Sequence, residues 1–326
     1  MKKTDDEDSG VFHKMKKNSI PENNQDWNQE MTGQKEKKTY ANAAVPPPSL
    51  PVALTVAGSD SGGGAGIQAD LRTFAALGVF GASAITAATF QNPLEVCGVE
   101  ALSPKAVAAQ IRTVEKVLNI SAAKTGMLFS EEIIRSVADA LSGCRHEIVS
   151  DPVMVSTSGA KLLRDSAVEA VKSKILPLCT WTTPNLPEAE VLTGTRLDTP
   201  RKRRDAARRI YETWGCHVIL KGGHVAEEDT GTADDIVCYG GDFYLLSSPR
   251  VASAPHADHG TGCTFSAAFT ACLAAGESWE RALCRAKDFV FRSLFHARPI
   301  GGKGYEIYAM FPPGESHPEQ IRLERL

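Results

Sequence analysis

The chain has 326 residues, of which 42% are hydrophobic and 23% are charged, and this composition is typical of a globular protein with one large domain or two small ones. Its formal net charge of −3 gives no indication of binding to nucleic acid or to an anionic membrane. No apolar run reaches the ~20 residues of a membrane span, and none of the cysteines forms a C-x-x-C pair, so we expect reduced thiols and a cytoplasmic protein.

The first 50 residues differ in composition from the rest of the chain. They are rich in Lys, Glu, Asp, Asn and Gln and end in a proline run. Such a segment buries too little apolar surface to offset the entropy cost of ordering it, and it lacks the apolar stretch of a secretory signal. We therefore predict a disordered polar tail over residues 1–50 and a single domain over residues 51–326.

From Pro51 onward, strand and helix patterns alternate along the chain. Alternation of this kind predicts an α/β fold with a mostly parallel sheet that helices cover on both faces. The predicted strands are 52–57, 82–90, 122–127, 146–154, 179–185 and 217–224, followed by a hairpin over 234–251 that turns at Gly240-Gly241. The predicted helices are 65–77, 104–118, 131–141, 165–175, one that begins at 188, 199–214, one within 259–276, and 279–297.

Polar and glycine-rich residues follow most of the predicted strands. They are Gly58-Ser59-Asp60, Gln91-Asn92, Gly126-Met127, Asp151-Pro152, Asn185 and Lys221-Gly222-Gly223-His224. Ligands of open parallel sheets bind outside the carboxyl ends of the strands. We therefore expect these stretches to converge on one site.

The stretch HGTGCTFSAAFTACLAAG begins at His259 and predicts a buried helix with a glycine-rich first turn. The unpaired amides of Gly260, Thr261, Gly262 and Cys263, at the positive end of the helix dipole, suit an anion. A thiol in such a turn is expected to have a lowered pKa and to accept a proton more readily near neutral pH. A free cysteine is otherwise most often an inert core residue, and we interpret His259 as a residue that merely flanks the helix.

A second glycine-rich turn, GSDSGGGAGIQAD, runs from Gly58 to Asp70. It contains no G-x-G-x-x-G spacing and no GxxxxGK[ST] motif, which excludes the Rossmann fingerprint and the P-loop. Its glycines allow the backbone to approach a ligand closely. Considered alone, Asp70 is more typical of a solvated helix residue.

Asn185 and Glu188 form the pattern N-L-P-E, which has two interpretations. As a capping box, Asn185 caps a helix and Glu188 bonds back to it. As a Mg²⁺–phosphate site, Asn185, Glu188 and Asp151 supply an outer shell around a hydrated ion. Lys221, which follows a buried strand and precedes two glycines, is a candidate phosphate contact.

Seven stretches in this order resemble the hydroxymethylpyrimidine phosphate kinases of thiamine biosynthesis, which belong to the ribokinase-like superfamily. They are AGSDSGGGAGIQADL, Gln91-Asn92, KTGML, DPVMVSTSG, TPNLPEAE, LKGGH and HGTGCT. The resemblance implies a three-layer α/β/α sandwich, ATP and Mg²⁺, and commonly a homodimer. It also implies two successive phosphorylations, first of 4-amino-5-hydroxymethyl-2-methylpyrimidine and then of its monophosphate.

The same resemblance implies roles for individual residues. The turn from Gly260 to Cys263 is similar to the superfamily's anion hole, with Cys263 in the place where most relatives have an aspartate base. Asn185 and Glu188 match the element that organises Mg²⁺ and phosphates, and Lys221 matches a lysine close to the nucleotide. The positions that match the pyrimidine site are Gly58, Asp70, Gln91, Met127 and Val153.

Two alternative functions remain open at this point. A pyridoxal kinase of the same fold also phosphorylates a hydroxymethyl group on a six-membered aromatic ring. A non-catalytic sensor would bind the pyrimidine or the nucleotide without turnover. The chain also departs from its relatives around Phe90, Pro93 and Leu94, in the lid region, and after Ala297, so we leave Lys303 out of the site.

Overall fold

The computed structural model describes residues 49–154, 165–223, 231–312 and 318–326. The predicted tail lies outside the described residues up to position 48, as does His224 of the strand-end set. The region from Ser49 to Leu326 is one compact unit. No helix in the described ranges is long and apolar enough to cross a membrane.

A ten-stranded sheet in the described residues forms the centre of this unit. Its strands are β1 (Val52–Asp60), β2 (Phe80–Gln91), β3 (Val96–Ala101), β4 (Ile120–Thr125), β5 (Glu147–Ser150), β6 (Trp181–Thr182), β7 (His217–Lys221), β8 (Thr232–Tyr239), β9 (Asp242–Pro249) and β12 (Arg322–Arg325). The order is β12-β9-β8-β7-β6-β5-β4-β1-β2-β3. The six strands from β7 to β2 are parallel, and β3, β8, β9 and β12 pair antiparallel at the two edges. A separate two-stranded ladder joins β10 (Arg298–Pro299) to β11 (Tyr308–Ala309).

Helices cover both faces of the sheet. They are α1 (Gly66–Ala76), α2 (Pro104–Glu115), α3 (Glu131–Leu141), α4 (Asp165–Ala170), α5 (Leu186–Thr193), α6 (Pro200–Trp214), α7 (Thr261–Ala274) and α8 (Trp279–Phe295). The core on one side includes Ile111 of α2, Ile134 of α3 and Ile210 of α6. The core on the other side includes Phe74 of α1 and Phe269 of α7. The three-layer α/β/α sandwich with a mostly parallel sheet is therefore confirmed.

The body of α7 is buried on almost every side, as its small and apolar residues predict. Ten of its residues between Thr264 and Ala274 are buried. A helix that is apolar all round requires neighbours all round. Here α1 and α8 flank it and the sheet lies beneath it, so the position of its first turn is fixed by the core.

Prolines explain why two of the strands, β5 and β6, end earlier than the sequence patterns predict. The strand expected to extend to residue 154 ends at Ser150, and the one expected to extend to residue 185 ends at Thr182. Pro152 and Pro184 cannot donate a hydrogen bond to a ladder. Likewise, α4 ends at Ala170 and continues as a π-helical turn (Val171–Ile175), because Pro177 follows closely and is unfavourable in an α-helix interior.

Within the ten-stranded sheet, the sequence patterns missed β3 and β12. A turn in which Oδ1 of Asn92 accepts hydrogen bonds from the amides of Leu94 (2.8 Å) and Glu95 (3.1 Å) leads from β2 into β3. Both missed strands lie at a sheet edge, and their mixed burial produces no clear alternation of apolar and polar residues.

Candidate active site

The carboxyl ends of the parallel strands form one row, as the sequence predicted. Hydrogen bonds between neighbouring strands continue past the last ladder residues and hold the row in register. They run from the amide of Gly126 to Val56 (2.9 Å), of Asp151 to Thr125 (2.8 Å), of Thr183 to Ser150 (2.9 Å) and of Lys221 to Pro184 (2.9 Å). The side chains that follow β5, β6 and β7 therefore lie beside one another at this edge.

The two glycine-rich turns lie against each other. Gly260, the N-cap of α7, has φ = +84°, and a Cβ there would collide with the carbonyl oxygen of Gly64. A Cβ on Gly64 would in turn collide with the His259 ring. Glycine is needed at position 260 both for the left-handed backbone and for the close approach, so the first turn of α7 is held directly above the end of β1.

His259 is a contact residue of this junction and not only a helix-flanking residue, which corrects our interpretation of the sequence. Its Nε2 lies 3.0 Å from Oδ2 of Asp60 and 3.2 Å from Nε2 of Gln91. Asp60 also accepts hydrogen bonds from the amides of Gly62 and Ala65, both at 2.8 Å. Burial alone would raise the pKa of Asp60, but the contact with His259 and these two amides bring that pKa below its usual value. The buried, ionised carboxylate of Asp60 thus holds His259, which precedes α7, against the glycine-rich turn from Gly58 to Asp70.

The first turn of α7 offers fewer free amides than its sequence suggested. The amide of Thr261 donates to the carbonyl of Asp258 at 3.2 Å, and that of Thr264 donates to Gly260 at 2.9 Å. In the described parts of the chain, no acceptor is recorded for the amides of Gly262 and Cys263. These two N–H groups, at the positive end of a 14-residue helix, form the anion-binding part of the turn.

The thiol of Cys263 has a raised pKa, so the expectation of a lowered value is wrong. Burial raises the pKa to about 11, and the carboxylates of Asp70 and Asp151 act in the same direction. The Lys124 ammonium and a hydrogen bond from the Gly66 amide oppose the shift without cancelling it. Desolvation by the surrounding core therefore outweighs the effect of the helix N-terminus, and Cys263 is a thiol at neutral pH.

Lys221 and Asp151 form an ion pair directly below this turn. Nζ of Lys221 lies 2.8 Å from Oδ1 of Asp151, whose Oδ2 accepts a hydrogen bond from Ser266 at 3.2 Å. A Cβ on Gly262 would lie only 3.2 Å from Nζ of Lys221. Burial favours the neutral form of Asp151, but Lys221 and Lys124 lower its pKa below the usual value. A partly buried cation thus lies against the backbone of the anion-binding turn.

Asn185 and Glu188 form the complete capping box at the start of α5. Oδ1 of Asn185 accepts from the Glu188 amide, and Oε2 of Glu188 accepts from the Asn185 amide, both at 2.9 Å. Oε1 of Glu188 accepts from the amide of Met154 at 3.2 Å. Burial raises the pKa of Glu188 to about 7; Lys221 lowers it and Asp151 raises it further. The structural interpretation of this motif is confirmed, and it leaves a carboxyl group poised to ionise beside Asp151 and Lys221.

Asp70 is fully buried and paired, which corrects its interpretation as a solvated helix residue. Its Oδ1 lies 2.6 Å from Nζ of Lys124, and its Oδ2 accepts from the Thr55 hydroxyl at 2.6 Å. Burial raises the pKa of Asp70 even though Lys124 opposes the shift. The sequence analysis missed Lys124; the signal was a lysine inside the apolar strand pattern ISAAKT, since a buried lysine requires a partner.

The structure brings together most of the residues matched to the pyrimidine site. A Cβ on Gly58 would collide with the terminal methyl group of Met127, so these two residues are in contact. Gln91 contacts His259 from the end of β2. Val153 is half-buried and precedes Met154, whose amide bonds to Glu188, so Val153 lies on the Glu188 side of the row.

A surface cavity that the sequence analysis missed lies at the end of α8. It has a volume of about 490 Å³, and its lining includes Arg250, Val251, Phe291, Leu294 and Phe295. Because α7 and α8 pack together and are joined by a short turn, the end of α8 lies near the start of α7. The cavity is therefore at the same end of the helix pair as the anion-binding turn.

Sequence and structure comparisons find related proteins over most of the chain. The family model of phosphomethylpyrimidine kinases matches residues 60–307. The hydroxymethylpyrimidine/phosphomethylpyrimidine kinase of Haemophilus influenzae is 46% identical over 76% of this chain and 92% of its own length. The thiamine biosynthesis bifunctional protein ThiED of Geobacter sulfurreducens is 44% identical, and the match spans half of that longer protein. The solved structure of the pyridoxal kinase from Staphylococcus aureus in complex with AMP-PCP and pyridoxal is 31% identical, with a TM-score of 0.74 over 86% of this chain and all of that one.

Proposed function

The chain belongs to the phosphomethylpyrimidine kinase family, and we propose that it transfers the terminal phosphoryl group of ATP to 4-amino-5-hydroxymethyl-2-methylpyrimidine and then to the resulting monophosphate. Both reactions serve thiamine biosynthesis. The observation that carries the proposal is the partly buried Lys221 ammonium against Gly262, at the amide turn that begins α7. A cation and free amides at one point suit a phosphoryl group in transfer.

We assign phosphate binding to Lys221 and to the amides of Gly262 and Cys263. Phosphoryl transfer passes through a loose transition state whose charge lies on the phosphoryl oxygens. The two amides and the helix dipole are fixed by the buried body of α7, so they need no reorganisation when that charge develops. Asp151 holds Lys221 in place through the 2.8 Å ion pair.

The residues around Glu188 fit a hydrated Mg²⁺ better than a directly coordinated one. Both Glu188 oxygens accept backbone amides, and Asp151 is engaged by Lys221 and Ser266. Mg²⁺ commonly retains several waters and binds through few carboxylates. A pKa of about 7 for Glu188 also indicates a carboxyl group that a nearby cation would ionise. When bound, Mg²⁺ neutralises charge on the ATP phosphates; Glu188, Asp151 and Asn185 would hold its water shell.

For the acceptor, we propose that Cys263 orients the hydroxymethyl group more than it deprotonates it. With a pKa of about 11, the Cys263 thiol keeps its proton at neutral pH and is therefore a poor proton acceptor. A loose transition state also needs little help from a base. In the second reaction the acceptor is a phosphate that is already anionic, and positioning is then sufficient.

Gly58, Met127, Gln91 and Val153 are proposed to line the pyrimidine site. Gly58 and Met127 offer a flat apolar contact, and Gln91 offers an amide for the edge of the aminopyrimidine. Both oxygens of Asp70 already bond to Lys124 and Thr55, so we assign to Asp70 the positioning of Lys124.

We assign the adenine of ATP to the cavity at the end of α8. Phe291, Leu294 and Val251 give it apolar walls that suit a base. Because this cavity is near the start of α7, the triphosphate of an ATP bound there would extend toward the amide turn. The relative from Staphylococcus aureus binds AMP-PCP, which supports the use of ATP.

The pyridoxal kinase alternative rests on the similarity to the Staphylococcus aureus enzyme. An ATP-dependent assay with three acceptors, namely the hydroxymethylpyrimidine, its monophosphate and pyridoxal, separates the functions. We expect turnover of the first two, with the pyrophosphate as the final product. Turnover of pyridoxal alone would replace the proposal, and binding of these compounds without turnover would favour the non-catalytic sensor. The homodimer implied by the resemblance is checked in the same preparation by light scattering.

A further inference from the structure

A second cluster of reactive side chains lies at the opposite end of the parallel sheet. Glu115 is the last residue of α2, and Cys144 and His146 lie in the connection that leads from α3 into the first residue of β5. One possible ligand atom from each of the three residues lies within 4.8 Å of the other two. The site proposed above lies beyond the other end of β5, at Asp151. The cluster thus belongs to a different part of the protein.

The three side chains are half-buried and incompletely satisfied by protein contacts. Sγ of Cys144 donates to Oε1 of Glu115 at 3.0 Å. Nε2 of His146 is buried and has no hydrogen-bond partner among the described residues. A buried polar atom without a partner destabilises the folded state, which favours a ligand at this position.

The chemistry of these groups favours a cation as that ligand. An imidazole nitrogen, a cysteine sulfur and a carboxylate oxygen each donate a lone pair to a metal ion. All three converge on one point, and one of them is a buried nitrogen without a partner in the described part of the chain.

We propose that Glu115, Cys144 and His146 bind one Zn²⁺ ion, with the fourth position open to water. A thiolate, an imidazole and a carboxylate are the three side-chain ligand types that zinc takes in proteins. Tetrahedral ligands at zinc bond lengths of about 2.0–2.3 Å are separated from one another by about 3.3–3.8 Å. Sγ of Cys144 and Oε1 of Glu115 are already 3.0 Å apart, and no pair of the three ligand atoms is separated by more than 4.8 Å, so small side-chain rotations are sufficient to reach this geometry. Binding displaces the thiol proton to solvent.

Zinc at this position joins the end of α2 to the entry of β5. The hydrogen bond from Sγ of Cys144 to Glu115 is then replaced by coordination of both side chains to the same ion. Zinc binding stabilises the folded state because the unfolded chain has no preformed site. This proposal is independent of the proposed kinase function, since none of the three residues lies in the row of strand ends.

Zinc content and cobalt absorption test the proposal on the full-length protein. After incubation with excess Zn²⁺ and gel filtration, we expect about one equivalent of zinc by mass spectrometry and a raised melting temperature. The variant Cys144→Ser/His146→Ala is expected to weaken binding at least about tenfold in a chelator competition. Co²⁺ is expected to give a sulfur-to-metal charge-transfer band in the wild type and not in this variant. The exposed residues Cys97 and His296 provide the matched control, Cys97→Ser/His296→Ala.

Equal zinc affinity in the two double variants would overturn the proposal, as would Co²⁺ binding without the charge-transfer band. Far-ultraviolet circular dichroism and kinase turnover show whether the cluster variant is folded. If that variant does not fold, Cys144→Ser alone, which preserves the volume of the side chain, is compared with Cys97→Ser. Failure of the kinase proposal would leave zinc binding unchanged, so the two failures are distinguishable.

Discussion

Nε2 of His259 lies 3.0 Å from Oδ2 of Asp60, and these two residues belong to the two glycine-rich turns of the site. Asp60 is held by backbone amides of its own turn, and His259 immediately precedes the N-cap of α7. The contact therefore sets how the amide turn lies over the end of β1. His259 also reaches Gln91 at 3.2 Å, so one ring joins three segments of the site.

Replacing this ring tests its positioning role. We expect His259→Ala to lower kcat/KM for the hydroxymethylpyrimidine about 10-fold to 100-fold, because a misplacement of about 1 Å is sufficient for a loss of this size. His296→Ala, at an exposed position on the surface, is expected to have no effect. The readout is steady-state kinetics with both acceptors, and equal rates for wild type and His259→Ala would refute the role.

The raised pKa of Cys263 predicts slow alkylation that keeps accelerating with pH. Since the pKa is about 11, the thiolate fraction should rise about tenfold per pH unit across neutral pH. Peptide mass spectrometry after iodoacetamide treatment of the ligand-free protein follows Cys263 directly. A rate of alkylation that stops rising below about pH 8 would instead indicate a thiolate with a lowered pKa, which is the effect expected from the helix N-terminus alone.

Kinetics of Cys263→Ser test whether the residue orients the acceptor. A serine hydroxyl also accepts and donates a hydrogen bond, but it ionises less readily than a thiol. We therefore expect the second phosphorylation, whose acceptor is already anionic, to be largely retained, and the first to fall by about tenfold or more. Equal loss in both reactions would contradict the view that an anionic acceptor tolerates a weak base.

The pKa of Glu188 predicts a pH dependence of stability. Its folded-state value of about 7 is above its usual value, so its protonation stabilises the fold fully at low pH, and this contribution is lost as the pH rises through about 7. The free energy of unfolding should therefore fall more between about pH 5 and pH 8 in the wild type than in Glu188→Gln, whose amide oxygen still accepts the Asn185 amide. Urea unfolding at a series of pH values measures the difference, and identical profiles would contradict this assignment.

The ion pair of Asp70 and Lys124 predicts a strong coupling between two mutations. Both side chains are fully buried, so Asp70→Asn leaves a buried ammonium without its counter-ion and should cost about 3–5 kcal/mol. Adding Lys124→Met removes that charge and should restore part of the stability. Urea unfolding of the two single variants and the double variant measures the coupling; additive effects would show that the pair does not act as a unit.

Two glycines with similar backbone angles allow the cost of backbone strain to be measured separately from the cost of a steric collision. Gly260 has φ = +84° and Gly276 has φ = +79°, but a Cβ at Gly276 meets nothing within 4 Å. Gly276→Ala should cost about 1 kcal/mol for its backbone alone. Gly260→Ala should cost more and abolish turnover, because it pushes the amide turn away from Gly64. Thermal unfolding measures the loss of stability in each variant, and kinase assays measure its turnover. Equal losses in Gly260→Ala and Gly276→Ala would argue against close contact of the two glycine-rich turns.

Local patterns in the sequence determined the alternation of elements and hence the sheet. The hairpin turn at Gly240-Gly241, the helix 131–141 and the capping box of Asn185 and Glu188 all depend on residues near one another in the chain. The order of motifs from Gly58 to Cys263 was sufficient to identify the family. It also predicted that the residues after the parallel strands share one edge, because parallel strands end on the same side.

Only the tertiary structure determined which of those residues are buried and which are paired. Asp70 and Lys124 are 54 positions apart, and His259 and Asp60 are 199 positions apart, so no local pattern links them. The state of the Cys263 thiol depends in the same way on burial and on carboxylates contributed by other segments. A pKa is set by solvent exclusion and by charges close in space, and neither is encoded in the spacing of residues along the chain.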